Sequence, residues 1–310
     1  MLTPQSGETL VDLTAGLGGH AALVAERLGP RGRVILNDAD ARNLERASDR
    51  VAEAGVTPIP IHGNFAEIPR VLQQRGIAAD MALADLGFAS NQVDDPARGL
   101  SFREEGPLDM RLDPWAPGTA ASLLETLSEA ELASIIRDYG EERFAGRIAR
   151  AILRAREDAP IESTSRLAEI VRSAVPSPRR ARGTQRRRTR PIDPATRTFQ
   201  ALRIAVNDEI GSLERLLDAI EDAAARLAAG ERDTWLAPGA RVAIIAFHSL
   251  EDRPVKHRFA QMAERGWAER LTRKPLRASD EEIERNRRAR SAKLRAIRLQ
   301  GSAGPVERTD

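Results

Sequence analysis

The first hundred residues alternate short apolar segments with amphipathic helical segments, and this alternation most constrains the fold. The apolar segments, which predict buried strands, are residues 9–13, 32–36, 58–62 and 81–86. The segments between them, which predict helices, are residues 16–28, 41–54 and 65–75. Strands separated by helices of this length are typical of parallel βαβ units, so the sequence predicts a doubly wound α/β sheet.

The pattern changes after the fourth strand. Residues 87–118 are rich in Gly, Pro, Asp and Asn, which predicts a long loop. Three helices are then expected, over residues 128–139, 142–156 and 163–175, with Ser128 and Ser163 as caps. A long helix over 196–229 and a strong strand over 241–247 follow, and weaker strands are expected over 271–277 and 293–299. The sheet therefore resumes after a helical insertion.

These segments predict a discontinuous α/β domain. Its first part covers residues 1–112, and an inserted helical domain covers 113–194, including a basic low-complexity loop at 176–194. The second part covers residues 195–300, and a disordered tail is expected at 301–310.

Composition excludes several classes of protein. The chain has no cysteine, which excludes disulfides, thiolate nucleophiles and Cys-ligated metals, and with only four histidines no metal site is expected. No apolar run is long enough to span a membrane, so a soluble cytoplasmic protein is expected. The net charge of +2 hides a gradient, because residues 1–110 carry 10 basic and 16 acidic side chains. The basic remainder predicts a polyanionic partner, although a compositional preference for Arg explains part of it.

A glycine-rich turn follows the first strand. Asp12 ends that strand, and the sequence Ala-Gly-Leu-Gly-Gly-His leads from it into a helix. Glycines let backbone approach a ligand closely, and a helix N-terminus offers free N–H groups, although a simple tight turn is the alternative. Asp38 at the next strand tip is placed to accept hydrogen bonds from ribose hydroxyls. The pair predicts a nucleoside-cofactor site, and the glycine spacing favours a methyltransferase over a dehydrogenase.

The fourth strand ends in Asp85-Leu-Gly-Phe88, at the sheet edge where open α/β folds bind ligands. Asp85 is either an acid satisfied within a turn or an acceptor for a substrate amino group. Phe88 is a candidate for stacking on a substrate base. This arrangement is similar to that of amino-group methyltransferases, without their two prolines.

Nine blocks in order give the chain a close resemblance to the bacterial 16S rRNA cytosine-N4 methyltransferase family (RsmH, also called MraW). The resemblance spans almost the whole chain. The blocks are LGGH at 17–20, GNF at 63–65, DLG at 85–87, RGLSF at 98–102, GPLDMR at 106–111, YGEERF at 139–144, PATRTFQALRI at 194–204, FHSLEDR at 247–253 and RSAKLR at 290–295.

The resemblance implies an S-adenosylmethionine-dependent enzyme with a Rossmann-like class I methyltransferase sheet and an inserted helical domain. Its implied reaction is direct methyl transfer to the exocyclic N4 of a cytidine in the decoding centre (P-site) of 16S rRNA, within the 30S subunit. The implied cofactor contacts are Gly18, Gly19, His20, Asp38, Phe65, Asp85 and Gln92. Phe65 is otherwise a core residue. The enzyme is expected to be a monomer or homodimer without membrane contact.

Two departures from the family pattern bear on these expectations. The family usually has a further N-terminal helix, whereas this chain starts almost at its first strand, which implies a misassigned start or a missing cap over the cofactor. The loop after Gly87 has Phe88 where the family has Val, so base stacking by Phe88 is specific to this chain.

Asp85 and Asp109 are the candidate catalytic acceptors for an N–H of the substrate amine. His248 is either a substrate contact or a residue that holds its loop. The candidate contacts to rRNA phosphates, for which a solvated charged linker is the alternative, are Arg179, Arg180, Arg182, Arg186, Arg187, Arg188 and Arg190. The competing functions are a non-catalytic small-subunit assembly factor, an N-methyltransferase for another nucleic-acid amine and, more distantly, a Rossmann dehydrogenase.

Overall fold

The computed structural model describes residues 1–176 and 193–301. In these residues seven strands form one sheet in the order β3-β2-β1-β4-β5-β7-β6. The strands are β1 (Thr9–Asp12), β2 (Arg33–Asp38), β3 (Pro58–His62), β4 (Ala79–Asp85), β5 (Leu236–Ala246), β6 (Ala268–Arg270) and β7 (Lys293–Leu299). The first five pair in parallel, and β7 pairs antiparallel with β5 and β6.

Twelve α-helices lie in the same described residues. They are α1 (Gly19–Leu28), α2 (Ala41–Glu53), α3 (Ile68–Gln74), α4 (Ser90–Asp94), α5 (Ala120–Thr126), α6 (Glu129–Asp138), α7 (Ala145–Asp158), α8 (Thr164–Ala174), α9 (Ala195–Asn207), α10 (Glu209–Ala228), α11 (Ser249–Glu264) and α12 (Asp280–Arg285). None of these described helices is long and apolar enough to cross a membrane.

The chain divides into two compact units. The first unit comprises Met1–Gly87 and Ile210–Asp310, and the second comprises Phe88–Glu209. The second unit begins and ends outside the expected insertion at 113–194, because the segment from Phe88 and helix α9 pack with the helical core rather than with the sheet. The sheet is therefore assembled from two separated parts of the sequence.

The first unit has three layers, because alternate strand residues face opposite sides of the sheet. Leu10 and Leu36 face a core that α1 and α2 cover. Val11 and Ile35 face the opposite core, which is formed with α3, α10 and α11. Because both faces are covered, the apolar residues of β1 and β2 are consecutive, Leu10–Val11 and Val34–Leu36, as is typical of buried parallel strands.

The second unit is a helical bundle with its own apolar core, to which α5 to α9 contribute. The predicted caps are confirmed. Ser128 Oγ accepts the Glu131 amide and Ser163 Oγ accepts the Arg166 amide. The segment 87–118, expected as a loop, also contains the short helix α4.

Two predicted elements differ from the structure. The single helix expected over 196–229 is two helices, because Asp208 has a left-handed backbone with φ 48° between α9 and α10. The strand expected over 271–277 is absent. The strand forms at β6 instead, and only Leu276 of the expected segment makes an isolated bridge, to Leu294. The tail from 302 lies outside the described residues.

Candidate functional site

The turn between β1 and α1 is built on glycines that adopt positive φ. Gly16 has φ 52° and Gly18 has φ 75°, which side chains rarely allow. A Cβ on Gly18 would stand 2.7 Å from the backbone Cα of Ala47 in α2. Gly18 therefore lets the start of α1 pack against α2, while at Gly19 the nearest atom to a Cβ is the tip of Arg50 at 3.8 Å.

Asp38 joins the tip of β2 to this turn. Its Oδ2 accepts the Gly16 amide at 2.7 Å, and its Oδ1 accepts the Asp40 amide at 2.8 Å. Burial raises the pKa of Asp38, although these two backbone hydrogen bonds oppose the shift. An ionised carboxylate has about four lone-pair sites, so two backbone donors leave acceptor capacity for ribose hydroxyls.

Asp85 ends β4 beside the same turn. Its amide donates to Thr14 Oγ1 at 2.6 Å, which places the end of β4 against the glycine-rich turn. Its Oδ2 lies 3.5 Å from His20 Nε2. Its Oδ1 is buried and has no hydrogen-bond partner among the described residues. A buried acceptor without a partner is costly, so this oxygen is a candidate ligand contact.

Asp12 is the most deeply buried of the three strand-end acids, with 1% of its surface exposed. Its pKa is raised to about 7, chiefly by burial, and the nearby Asp85 and Asp38 contribute to this rise. The Thr14 amide and His20 oppose this shift. The hydrogen bond to Asp85 raises the pKa of His20, against the effect of its burial. Three carboxylates with one histidine form a site that favours a cationic ligand.

The end of β3 carries the residue expected beside the adenine. Phe65 begins a short 3-10 helix that Asn64 caps, and it is partly buried against the core that faces α3 and α10. The buried Asn37 donates to the carbonyls of Ile61 and Gly63, at 2.8 and 2.9 Å, which holds the chain before Phe65. Phe65 thus packs against the core, and its ring is partly exposed near the end of a strand.

Three candidate residues lie in the second unit. The side-chain oxygen Oε1 of Gln92 accepts a hydrogen bond from the Ala89 amide at 2.9 Å, which caps α4. Both oxygens of Asp109 bind the Arg111 guanidinium, at 2.8 and 2.7 Å. Burial favours the neutral acid, but Arg111 holds the pKa of Asp109 below its usual range. The Phe88 ring has the Arg203 guanidinium 4.7 Å from its centroid, so a cation packs against this ring.

The end of β5 carries His248, together with Glu251, to which the motif analysis gave no role. The buried Glu251 accepts the Phe247 amide at 2.7 Å and the His248 amide at 3.3 Å, which ties the turn before α11. His248 Nε2 lies 3.2 Å from Glu251 Oε1, which supports a loop-holding role for this histidine. Glu251 stands three residues after the cap, as in a capping box, but the cap residue is His248 rather than Ser or Thr, so the sequence motif does not identify Glu251.

Asp252 connects two of the sequence blocks that carry the family resemblance. Its carboxylate binds Arg295 Nε at 2.7 Å and Lys293 Nζ at 3.3 Å, both on β7. The FHSLEDR and RSAKLR blocks are therefore joined by one acid, which holds the antiparallel strand β7 to α11. The seven arginines proposed to contact phosphates, from Arg179 to Arg190, lie outside the described residues.

The parallel strands and the acids at their carboxyl ends define a Rossmann-like α/β domain of the class I methyltransferase type, interrupted by a helical unit. The comparisons with known proteins lead to the same class. The model of the MraW methylase family matches residues 1–300. The chain belongs to this family.

Curated relatives match at similar length. The ribosomal RNA small subunit methyltransferase H of Sorangium cellulosum is 48% identical over 303 residues, which cover 97% of this chain and 88% of the relative. That of Geobacter sulfurreducens is 46% identical, with 95% and 94% covered. That of Symbiobacterium thermophilum is 44% identical, with 96% and 92% covered. The chain is therefore a methyltransferase, and a methyltransferase of this family implies S-adenosylmethionine as methyl donor.

Proposed function

We propose that this enzyme transfers a methyl group from S-adenosylmethionine to the exocyclic N4 of a cytidine in the decoding centre of 16S rRNA. The rRNA substrate is supported by the relatives, which are named ribosomal RNA small subunit methyltransferase H. The observation that carries the transfer to an amine is the buried Oδ1 of Asp85, an acceptor without a partner among the described residues.

The residues of the first unit fit this cofactor. S-adenosylmethionine supplies an electrophilic methyl group on a positively charged sulfur. Asp12 and Asp85 provide negative charge for that cation, and Asp38 provides acceptors at the tip of β2. Gly19 and His20 open α1, whose N-terminus offers backbone N–H groups. Phe65 is the remaining proposed cofactor contact in this unit.

Asp85 is the proposed acceptor for the substrate. The lone pair of a cytosine amino group is delocalised into the ring, so the nitrogen is a weak nucleophile. An acceptor for one N–H favours lone-pair character on the nitrogen as the new bond to carbon forms. Asp109 is the less favoured acceptor, because Arg111 already binds both of its oxygens.

The substrate is proposed to be the small ribosomal subunit in the cytoplasm, with the arginines of 179–190 on its phosphates. Incubation of the purified chain with S-adenosylmethionine and small subunits that lack the modification tests the reaction. Nucleoside mass spectrometry is expected to find N4-methylcytidine at one decoding-centre position. Methylation of another nucleoside contradicts the substrate assignment, and cofactor or subunit binding without any transfer favours the assembly-factor alternative.

Asp85→Asn tests the acceptor. The variant is expected to lower kcat about 100- to 10,000-fold, because an amide oxygen is a much weaker acceptor than a carboxylate. Its affinity for the small subunit and its Tm are expected to change little. The matched control is Asp80→Asn on the same strand, where Oδ2 accepts the Thr9 amide and an amide oxygen still can. Unchanged methylation by Asp85→Asn removes Asp85 from the mechanism.

A further inference from the structure

Helix α7 carries a row of exposed arginines on one face. Arg147, Arg150 and Arg154 are spaced by three and four residues, which aligns them along a helix with 3.6 residues per turn. Each step along this row rises about 4.5 to 6 Å. Arg143 precedes the helix and extends the same spacing by four residues toward the N-terminus.

The opposite face of α7 is the face that packs into the second unit. Its buried side chains are Ala145, Ile148, Ala149 and Ile152. At about 100° per residue, these four positions lie roughly half a turn from the arginine row. The apolar face of α7 is therefore explained by packing within the second unit. That packing does not explain the arginines on the opposite face.

The structural arginine of this helix, Arg156, has different surroundings. Arg156 is half-buried, and its guanidinium donates to the carbonyls of Leu124 and Leu127 at 2.6 and 2.7 Å. Within the row, Arg150 has an ion pair with the exposed Glu129 at 3.4 Å. Among residues 1–176 and 193–301, no acidic side chain lies within ion-pair distance of Arg143, Arg147 or Arg154. These three charges are not neutralised by the described part of the chain.

Phe144 brings two of these cations together. Its ring centroid lies 4.5 Å from the Arg143 guanidinium carbon and 6.0 Å from that of Arg147. Both guanidinium groups therefore lie against one ring, and like charges four residues apart disfavour each other. An arrangement that holds unneutralised cations close together is favourable when an anion lies between or above them.

We propose that Arg143, Arg147 and Arg154, with Arg150, form a phosphate-binding row for the backbone of the substrate RNA. The inference rests on the proposed function and names a surface for its substrate. The phosphates of an RNA strand repeat at regular intervals, and the arginines of this row are also spaced regularly along the helix. The two sets of charges can therefore pair along their length. Arginine suits this role because its planar guanidinium binds phosphate oxygens in a bidentate way.

The test is the triple variant Arg143→Gln, Arg147→Gln, Arg154→Gln in the full chain, with binding to small ribosomal subunits measured over a range of salt. Each lost phosphate contact lowers the slope of log Kd against log salt by about 0.7 for single-stranded RNA. The variant is therefore expected to lower the slope by about 2 and weaken binding about 10- to 100-fold at 0.1 M salt. Glutamine keeps the helix propensity, and a thermal melt checks the fold.

The matched control replaces three exposed arginines elsewhere in the same unit, Arg103, Arg137 and Arg166, with Gln. The net charge change is identical, and two of these arginines have acidic neighbours, Asp138 and Glu169. The control is expected to keep the wild-type slope. Equal slopes for the wild type, the triple variant and the control overturn the proposal.

A second measurement separates RNA from protein as the partner. The same titration with protein-free 16S rRNA is expected to show the same loss of slope. A loss with intact subunits and none with free rRNA overturns the assignment, because the partner is then an acidic ribosomal protein. If the wild-type chain methylates rRNA while the triple variant binds normally, only the row proposal fails. If the wild-type chain neither binds nor methylates rRNA, the proposed function fails.

Discussion

The strand-end acids of the first unit and the loop acids of the second unit have opposite surroundings. Asp12 is buried and Asp38 is half-buried, and the pKa values of both are raised. In the second unit, Asp109 and Asp193 bind Arg111 and Arg172, which lower their pKa values. The first set has no cation beside it other than a histidine, and the second set is neutralised by arginine.

The difference shows which acids serve structure. An acid paired with arginine in two hydrogen bonds fixes a loop: Asp109 orders the segment before α5, and Asp193 joins the start of α9 to α8. Acids that the fold places close together, without an arginine to pair with, lower the stability of the protein. They also favour the binding of a cationic ligand. The comparison therefore predicts opposite consequences when these acids are replaced by isosteric amides.

Asp12→Asn is expected to give the largest change in stability. Its folded pKa of about 7 lies above the ordinary 3.8, so between these values only the folded chain holds the proton. This contribution to stability is therefore lost as the pH rises from about 4 to 7. Asn does not titrate, so the variant does not lose this stability as the pH rises. Its free energy of unfolding is expected to exceed that of the wild type by up to about 4 kcal/mol at pH 8.

Urea unfolding at pH 4.5 and pH 8 measures this difference, which is expected to shrink toward zero at the lower pH. Asp49→Asn, at an exposed position on α2, is the control and is expected to show no such trend. The same Asp12 variant is expected to bind S-adenosylmethionine several-fold more weakly. An Asp12→Asn chain that is less stable than wild type at pH 8 breaks the comparison.

Asp109→Asn is expected to act in the opposite direction. The variant loses charge-assisted hydrogen bonds to Arg111, so its free energy of unfolding is expected to fall by about 1.5 to 3 kcal/mol. Denaturant unfolding at pH 7 measures the loss, and Asp113→Asn in the same loop is a control. If Tm is kept while kcat falls 100-fold, Asp109 belongs with Asp85 in the catalytic set.

The smallest expected effect is a shift in the pH profile through His20. Protonated His20 pairs with Asp85, which raises the pKa of His20 above 6.5. This pairing is complete below pH 6.5 and is lost as the pH rises through the raised pKa. Asp85 then becomes a better acceptor, so kcat is expected to rise by up to tenfold per pH unit and then level off.

The test measures kcat from pH 5.5 to 8.5 with saturating substrates. His20→Gln is expected to remove the part of the rise in kcat with pH that the titration of His20 causes. The Asp12→Asn variant separates the contribution of Asp12, whose pKa of about 7 falls in the same range. An unchanged midpoint in His20→Gln shows that the His20–Asp85 pair does not control the reaction.

Much of the fold could be predicted because local signals agree with it. The alternation of apolar and amphipathic segments predicts β1 to β4, and Ser128 and Ser163 mark two helix starts. The break at Asp208 could not be predicted, because no Gly or Pro marks it. Asn207 instead accepts the Leu112 amide and donates to the Met110 carbonyl, contacts that fold together residues almost a hundred positions apart.

For the candidate site, the sequence predicts which strand ends carry the acids. Asp38 and Asp85 follow apolar strands, and the carboxyl ends of parallel strands meet at one edge of a sheet. The orientation of the Asp38 carboxylate was not predictable, because it depends on the Gly16 amide, which donates to it from the turn after β1. The position of Asp85 depends on its backbone amide, which donates to Thr14 Oγ1 in the same turn. The engagement of Asp109 with Arg111 is a loop geometry that an Asp-x-Arg spacing alone does not establish.

The divided first unit also constrains the order in which the protein forms. Strand β4 pairs with β5, but roughly 150 residues separate them, and ribosomes need about 8 to 30 s to synthesise that length. During this time β4 has an open edge. Arg203 contacts Phe88 and Glu209, the first and last residues of the second unit, so folding of that unit brings its two ends together. Early folding of the inserted unit therefore lowers the entropy cost of closing the sheet by about 1 kcal/mol.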